Sequence, residues 1–127
     1  MTAARIDVLL VEDNEVYRSS LELLLGMHDG IRVVGAVSEG SSAADSVELL
    51  DPDVVLMDYR LPGLDGAAAT AALRQLRPDV AVICLTAEAT EDERAAVIEA
   101  GASALVEKGE PVQHLVDVIR AAARPSR

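Results

Sequence analysis

Four short apolar runs of the sequence lead into polar residues that could do chemistry together. These residues are Glu12 and Asp13 after the first run, Asp58 after the third, Thr86 after the fourth and Lys108 after the fifth. Three carboxylates in one small region repel one another unless a cation binds among them. Oxygen ligands without His or Cys suit Mg²⁺, which retains several of its waters. The Lys108 ammonium and the Thr86 hydroxyl would then bind an anion beside the metal, most simply a phosphoryl group, as in phosphoryl-transfer sites.

The runs that precede these residues are almost continuously apolar. Strands that are buried on both faces of a parallel sheet have this pattern. The sequence therefore predicts five strands, over residues 6–11, 31–37, 54–57, 80–85 and 104–106.

Apolar residues between and after the runs recur at helical spacing, which predicts helices that cover the sheet. They are Tyr17, Leu21 and Leu24; Ala43, Val47 and Leu50; Ala69, Leu73 and Leu76; and Val112, Leu115, Val116 and Ile119. Thr90 and Glu93 fit a capping box for a further helix over residues 91–100. Pro111 suits the first position of the last helix.

The alternation of strands and helices predicts an α/β fold with a parallel sheet, helices on both faces and right-handed crossovers. Ligands of such folds bind at the carboxyl ends of the strands. A chain of 127 residues has the length of one domain. We expect a single domain over residues 1–127, with a core over about 6–123 and a tail or the start of a linker at 124–127.

The composition excludes several classes of function. Acidic residues outnumber basic ones by 22 to 11, and the net charge of −11 repels nucleic acid phosphates and anionic membranes. No apolar stretch approaches the roughly 20 residues that span a bilayer. Tyr17 and Tyr59 are the only aromatic residues, too few for a base-stacking surface. We expect a cytoplasmic domain that does not itself bind nucleic acid or membrane.

The motifs resemble those of response-regulator receiver domains of bacterial two-component signalling, the CheY-like superfamily. They are Val-Glu-Asp at 11–13, Met-Asp-Tyr-Arg-Leu-Pro-Gly-Leu-Asp-Gly at 57–66, Leu-Thr-Ala at 85–87, and Lys108. The tract from Asp58 to Gly66 carries most of the weight. Its stretch Tyr-Arg-Leu-Pro-Gly-Leu-Asp-Gly at 59–66 resembles receivers that precede a helix-turn-helix DNA-binding domain. The resemblance implies a flavodoxin-like sheet with strand order 2-1-3-4-5.

The resemblance also implies a role for each residue of the cluster. Asp58 is the phosphoryl acceptor, and Thr86 and Lys108 contact the phosphoryl oxygens. Asp13, Asp58 and the backbone carbonyl of Arg60 hold Mg²⁺, with Mn²⁺ as an alternative ion, while Glu12 acts largely through bound water.

The resemblance further implies that the backbone N–H groups of Tyr59 and Ala87 contact the phosphoryl group. Two positions depart from the family pattern. Leu105 stands where the family commonly has Tyr or Phe, whose ring rotates inward on activation. Gly109 stands where a Pro often follows the Lys. These two departures leave the form of the signal output open, and they do not touch the phosphoryl chemistry.

The leading hypothesis is a signalling switch that catalyses only its own phosphorylation and slow dephosphorylation. The partner is a sensor histidine kinase or a phosphotransfer protein, and an output domain outside this chain would regulate transcription. The alternatives are a phosphorylation-independent interaction module and a stand-alone phosphorelay receiver, and a homodimer on phosphorylation stays open. Phosphatases of the haloacid dehalogenase kind have an Asp-x-Asp motif. Arg60 stands at the second position after Asp58, so it cannot serve as the second carboxylate of that motif, and this class of enzyme is disfavoured.

Overall fold

A five-stranded parallel sheet forms the centre of the structure, a computed structural model that describes residues 5–123. The strand order is β2-β1-β3-β4-β5, which confirms the predicted flavodoxin-like fold. The strands are β1 Ile6–Val11, β2 Ile31–Val37, β3 Val54–Asp58, β4 Ala81–Thr86 and β5 Ala104–Glu107. The tail predicted at 124–127 lies outside the described residues.

Three strands end one residue later than the sequence pattern predicts. Asp58 pairs with Leu85 across β3 and β4, and Thr86 pairs with Glu107 across β4 and β5. Asp58 and Thr86 are therefore part of the hydrogen-bonded ladder of the sheet, and strand pairing fixes the backbone positions from which their side chains extend. The predicted start of β4 at Val80 is wrong, because the Val80 N–H donates to the Arg77 carbonyl in a turn.

Five helices cover the two faces of the sheet. They are α1 Glu15–Gly26, α2 Ala43–Leu50 after a 3₁₀ turn at Gly40–Ser42, α3 Gly66–Leu76, α4 Glu91–Ala100 and α5 Val112–Ala122. Alternate strand residues face opposite sides, so Val11 packs with α2, α3 and α4, whereas Leu10 packs with α1 and α5. None of the helices described in 5–123 is both long enough and apolar enough to cross a bilayer.

Two helix starts differ in detail from the predictions. Pro111 is the N-cap of α5 and not its first helical residue, because its ψ of 144° is extended. The Thr90 hydroxyl accepts the Glu93 N–H at 3.1 Å, so the N-cap of α4 is confirmed. The reciprocal half of the capping box is not seen, because the Glu93 carboxylate binds the Thr86 hydroxyl and the Arg60 guanidinium.

The start of α3 packs directly against the backbone that follows β3. A Cβ on Gly66 would lie 2.5 Å from the Asp58 carbonyl oxygen and 2.6 Å from the Tyr59 Cα. Only glycine permits this approach, which sets the path of the chain beside Asp58.

We expect Gly66→Ala to lower the free energy of unfolding by about 1–3 kcal/mol, because backbone atoms must move to admit the methyl group. Gly26→Ala is the matched control, since a Cβ there meets nothing within 4 Å. Urea denaturation of both variants checks this result. Equal stabilities for the two variants would contradict the close packing of α3 on this backbone.

Candidate functional site

Three carboxylates lie together at the carboxyl edge of the sheet. Glu12 and Asp13 follow β1, and Asp58 ends the neighbouring strand β3. One oxygen from each of the three residues lies within 4.8 Å of the others. Glu12 and Asp58 are buried, whereas Asp13 is exposed. The structure therefore brings these three predicted ligands into one group that opens to solvent on the Asp13 side.

Lys108 reaches the same group from the end of β5. Its Nζ lies 2.7 Å from Glu12 Oε1 and 3.3 Å from Asp58 Oδ1. The Lys108 N–H donates to the Thr86 carbonyl at 2.8 Å, which anchors the residue to the end of β4. The ammonium thus partly balances the negative charge of the cluster and lies beside the proposed acceptor oxygen.

The Asp58 carboxyl is held in a setting that disfavours its charge. Burial raises the pKa of Asp58 to about 7, and the nearby Glu12 carboxylate adds to this rise. Two groups lower the pKa and so oppose the rise: the Arg60 N–H, which donates to Asp58 Oδ1 at 3.2 Å, and the Lys108 ammonium. A buried anion gains most from an added positive charge. A cation bound in the cluster would therefore stabilise the charged form of Asp58.

The Tyr59 N–H, which the resemblance assigns to the phosphoryl group, has a different partner in the structure. The Tyr59 N–H donates to the Leu85 carbonyl at 2.7 Å. The next N–H along the chain, that of Arg60, points at Asp58 Oδ1 instead. The hydrogen bonding between β3 and β4 continues to the Tyr59 N–H, so the first backbone N–H after Asp58 that is not part of the sheet is that of Arg60.

Thr86 is the last residue of β4, and its hydroxyl bonds to other groups of the protein. Thr86 Oγ1 lies 2.9 Å from Glu93 Oε1 and 3.2 Å from the Glu88 carbonyl oxygen. Thr86 is buried at the edge of the sheet, one position along from the Leu85 that pairs with Asp58. Its hydroxyl proton is therefore donated toward α4 in this structure.

Sequence reasoning missed Glu93 as part of the site. Glu93 and Val97 are both buried, and a spacing of four places them on one face of α4. An acidic residue on a helix face that is otherwise apolar was the available signal. It was hidden because Glu93 lies in a charged stretch that also fits a capping box.

Tyr17 is a second residue that sequence reasoning did not assign to the site. Its ring centroid lies 4.8 Å from the Lys108 Nζ, a distance at which the ring face attracts a cation. Burial raises the pKa of Tyr17 to about 12, with smaller contributions from Glu12 and Asp58. Tyr17 lies in the first turn of α1, so its ring lies beside the Lys108 ammonium where the ammonium reaches the cluster.

Leu105 occupies the position where the family commonly has an aromatic ring. It is buried and packs in the same apolar cluster as Val97 of α4. No ring is available there to rotate between two positions. Nothing lies within 4 Å of a Cβ placed on Gly109, so this residue leaves open space after Lys108.

The fold and site define a CheY-like receiver of two-component signalling. Residues 8–120 match the family model of the response regulator receiver domain. The chain therefore belongs to this family, which confirms the resemblance drawn from the motifs at 11–13, 57–66 and 85–87.

Individual relatives agree with this assignment. The chain is 38% identical over 115 residues to response regulator UvrY of Escherichia coli, covering 91% of this chain and 53% of UvrY. It is 37% identical over 119 residues to the transcriptional regulatory protein LiaR of Bacillus subtilis, covering 94% and 56%. The response regulator domain of Thermotoga maritima CheB superposes with a TM-score of 0.87 at 25% identity, covering 95% and 99%. The chain spans about half the length of the curated relatives it matches.

Proposed function

We propose that this domain is a phosphorylation-activated switch in which Asp58 accepts a phosphoryl group from the phosphohistidine of a sensor histidine kinase or a phosphotransfer protein. The observation that carries the proposal is the convergence of three carboxylates and one ammonium at the carboxyl edge of the sheet. Membership of the receiver family supports it.

In this proposal an Asp58 carboxylate oxygen attacks the phosphorus atom. A P–O bond forms as the P–N bond of phosphohistidine breaks, and the electron pair of the P–N bond returns to the imidazole nitrogen. Lys108 lies 3.3 Å from Asp58 Oδ1 and is placed to pair with a phosphoryl oxygen. The Arg60 N–H holds the carboxylate in position. Fixed charges that match the charge of the transition state stabilise it.

The donor set of the cluster fits a hard divalent cation. Glu12, Asp13 and Asp58 supply only carboxylate oxygens, and the exposed Asp13 leaves room for water ligands, as Mg²⁺ prefers. Asp13, Asp58 and the Arg60 carbonyl would hold Mg²⁺ or Mn²⁺, with Glu12 acting through water. The bound ion would neutralise charge on the carboxylates and on the phosphoryl oxygens.

The output of the switch is proposed to lie outside this chain. The relative LiaR is named a transcriptional regulatory protein and extends well beyond the region matched here. We propose that phosphorylation of Asp58 controls transcription through such an output domain. A homodimer formed on phosphorylation is part of the same proposal, and size-exclusion chromatography with and without a phosphodonor tests it.

We expect saturating Mg²⁺ to raise the melting temperature, because an ion that binds only the native state stabilises it, by about 2.7 kcal/mol at one hundred times the dissociation constant. Asp13→Asn should reduce this gain, and it should leave the metal-free protein as stable or more stable, since one repelling charge is removed. Melts in chelator and in Mg²⁺ measure both effects. Glu99→Gln, at an exposed position of α4, is the control. Identical midpoints with and without Mg²⁺ would contradict the metal site.

A further inference from the structure

The Thr86 hydroxyl has one proton, and two acceptors, the Glu93 carboxylate of α4 and the Glu88 carbonyl, lie within hydrogen-bond distance of it. Thr86 Oγ1 lies 2.9 Å from Glu93 Oε1 and 3.2 Å from the Glu88 carbonyl oxygen. A carboxylate is a stronger acceptor than a neutral carbonyl. The shorter bond, to Glu93, is therefore the main one.

Glu93 is fixed where it can hold this bond. Its side chain is only 10% exposed, and each carboxylate oxygen has a partner, Oε1 with Thr86 and Oε2 with Arg60 Nη2 at 3.0 Å. The Glu93 N–H donates to the Thr90 hydroxyl at the start of α4. Glu93 thus joins the end of β4, the loop after β3 and the first turn of α4.

The same hydroxyl cannot donate to Glu93 and to a phosphoryl oxygen at once, because it has a single hydrogen. We propose that Glu93 is a positioning residue that competes with the phosphoryl group for the Thr86 hydroxyl. This inference rests on the proposed function of Asp58. On phosphorylation the bond from Thr86 to Glu93 breaks and a bond from Thr86 to a phosphoryl oxygen forms, while Glu93 keeps Arg60 as its partner.

This exchange gives the domain a link between the acceptor and its outer face that needs no aromatic ring. Leu105 is buried in the apolar cluster that contains Val97 of α4, and its hydrocarbon side chain has no hydrogen bond to exchange. Glu93 lies in the first turn of α4, so release of Thr86 frees the start of this helix. The segment from Thr86 to Glu93 is therefore expected to respond to phosphorylation.

The test is a titration of the 127-residue chain with beryllofluoride, a stable mimic of the phosphoryl group, in the presence of Mg²⁺. Glu93→Ala should bind it about five- to tenfold more tightly than the unaltered protein, because no charged hydrogen bond must be given up. Glu93→Gln keeps an uncharged acceptor and should show a smaller gain. Glu91→Gln, an exposed neighbour in α4, should bind as the unaltered protein does.

A second background separates positioning from general effects of charge. In Thr86→Ala there is no hydroxyl to compete for, so adding Glu93→Gln should leave the affinity unchanged. A gain in affinity that persists without the hydroxyl would show that Glu93 acts through Arg60 or through its charge, and would overturn the inference.

The outcomes also separate this inference from the proposed function. If the unaltered protein binds beryllofluoride and both Glu93 variants bind with the same or weaker affinity, the inference fails and the proposed function stands. If the unaltered protein does not bind at all, the proposed function fails and the inference fails with it. Should Glu93→Ala unfold, the Glu93→Gln variant, which is nearly the same in shape, decides the question.

Discussion

Replacing Asp58 with Asn should abolish phosphorylation of the domain. The unaltered protein, incubated with Mg²⁺ and acetyl phosphate, is expected to gain one phosphoryl group, about 80 Da, because the Asp58 carboxylate is the proposed nucleophile. An Asn amide is a poor nucleophile and a weaker ligand for a hard cation. Intact-mass spectrometry of the two proteins measures the difference.

Asp92→Asn is the matched control for this experiment. Asp92 is exposed in the first turn of α4, so its substitution removes the same charge without touching the cluster. It should take up the phosphoryl group as the unaltered protein does. A full gain in mass in Asp58→Asn would exclude Asp58 as the sole acceptor.

Lys108→Ala should slow phosphoryl uptake by about 100-fold or more, the usual cost of removing a fixed group that stabilises transition-state charge. Lys108 Nζ lies 2.7 Å from Glu12 Oε1 and 3.3 Å from Asp58 Oδ1. The same substitution leaves the buried Glu12 without its cation, and such losses destabilise proteins by about 3–5 kcal/mol. Rates of mass gain and urea denaturation measure the two effects.

The stability loss of Lys108→Ala should be largest in chelator and smaller in Mg²⁺, because a bound cation replaces part of the missing charge. Arg94→Ala removes an exposed cation of α4 and should change neither rate nor stability by more than a small amount. An unchanged rate in Lys108→Ala would show that the ammonium has no part in the chemistry.

The convergence of the cluster could be predicted from the sequence because it depends on the strand pattern alone. Continuous apolar runs indicate parallel strands, and the carboxyl ends of neighbouring parallel strands meet at one edge. Glu12, Asp13, Asp58 and Lys108 follow such runs, and the structure places them together.

The partners of individual polar groups could not be predicted in this way. A Thr and a Glu three residues apart fit a capping box, yet the Glu93 carboxylate bonds with residues from two other segments. The choice between Thr90 and Thr86 as its partner depends on how α4 packs on the sheet. The resemblance likewise predicts that the Tyr59 N–H contacts the phosphoryl group, but in the structure this N–H donates to the Leu85 carbonyl. Local patterns do not determine such tertiary choices.

The most direct test of phosphorylation at Asp58 is to locate the phosphoryl group on the protein. The protein is incubated with acetyl phosphate, with Mg²⁺ or with chelator, the acyl phosphate is trapped by reduction, and the peptides are mapped by mass spectrometry. We expect one modified residue, Asp58, formed only when Mg²⁺ is present. Modification at another residue, or no modification from either acetyl phosphate or a phosphorylated histidine kinase, would contradict the account.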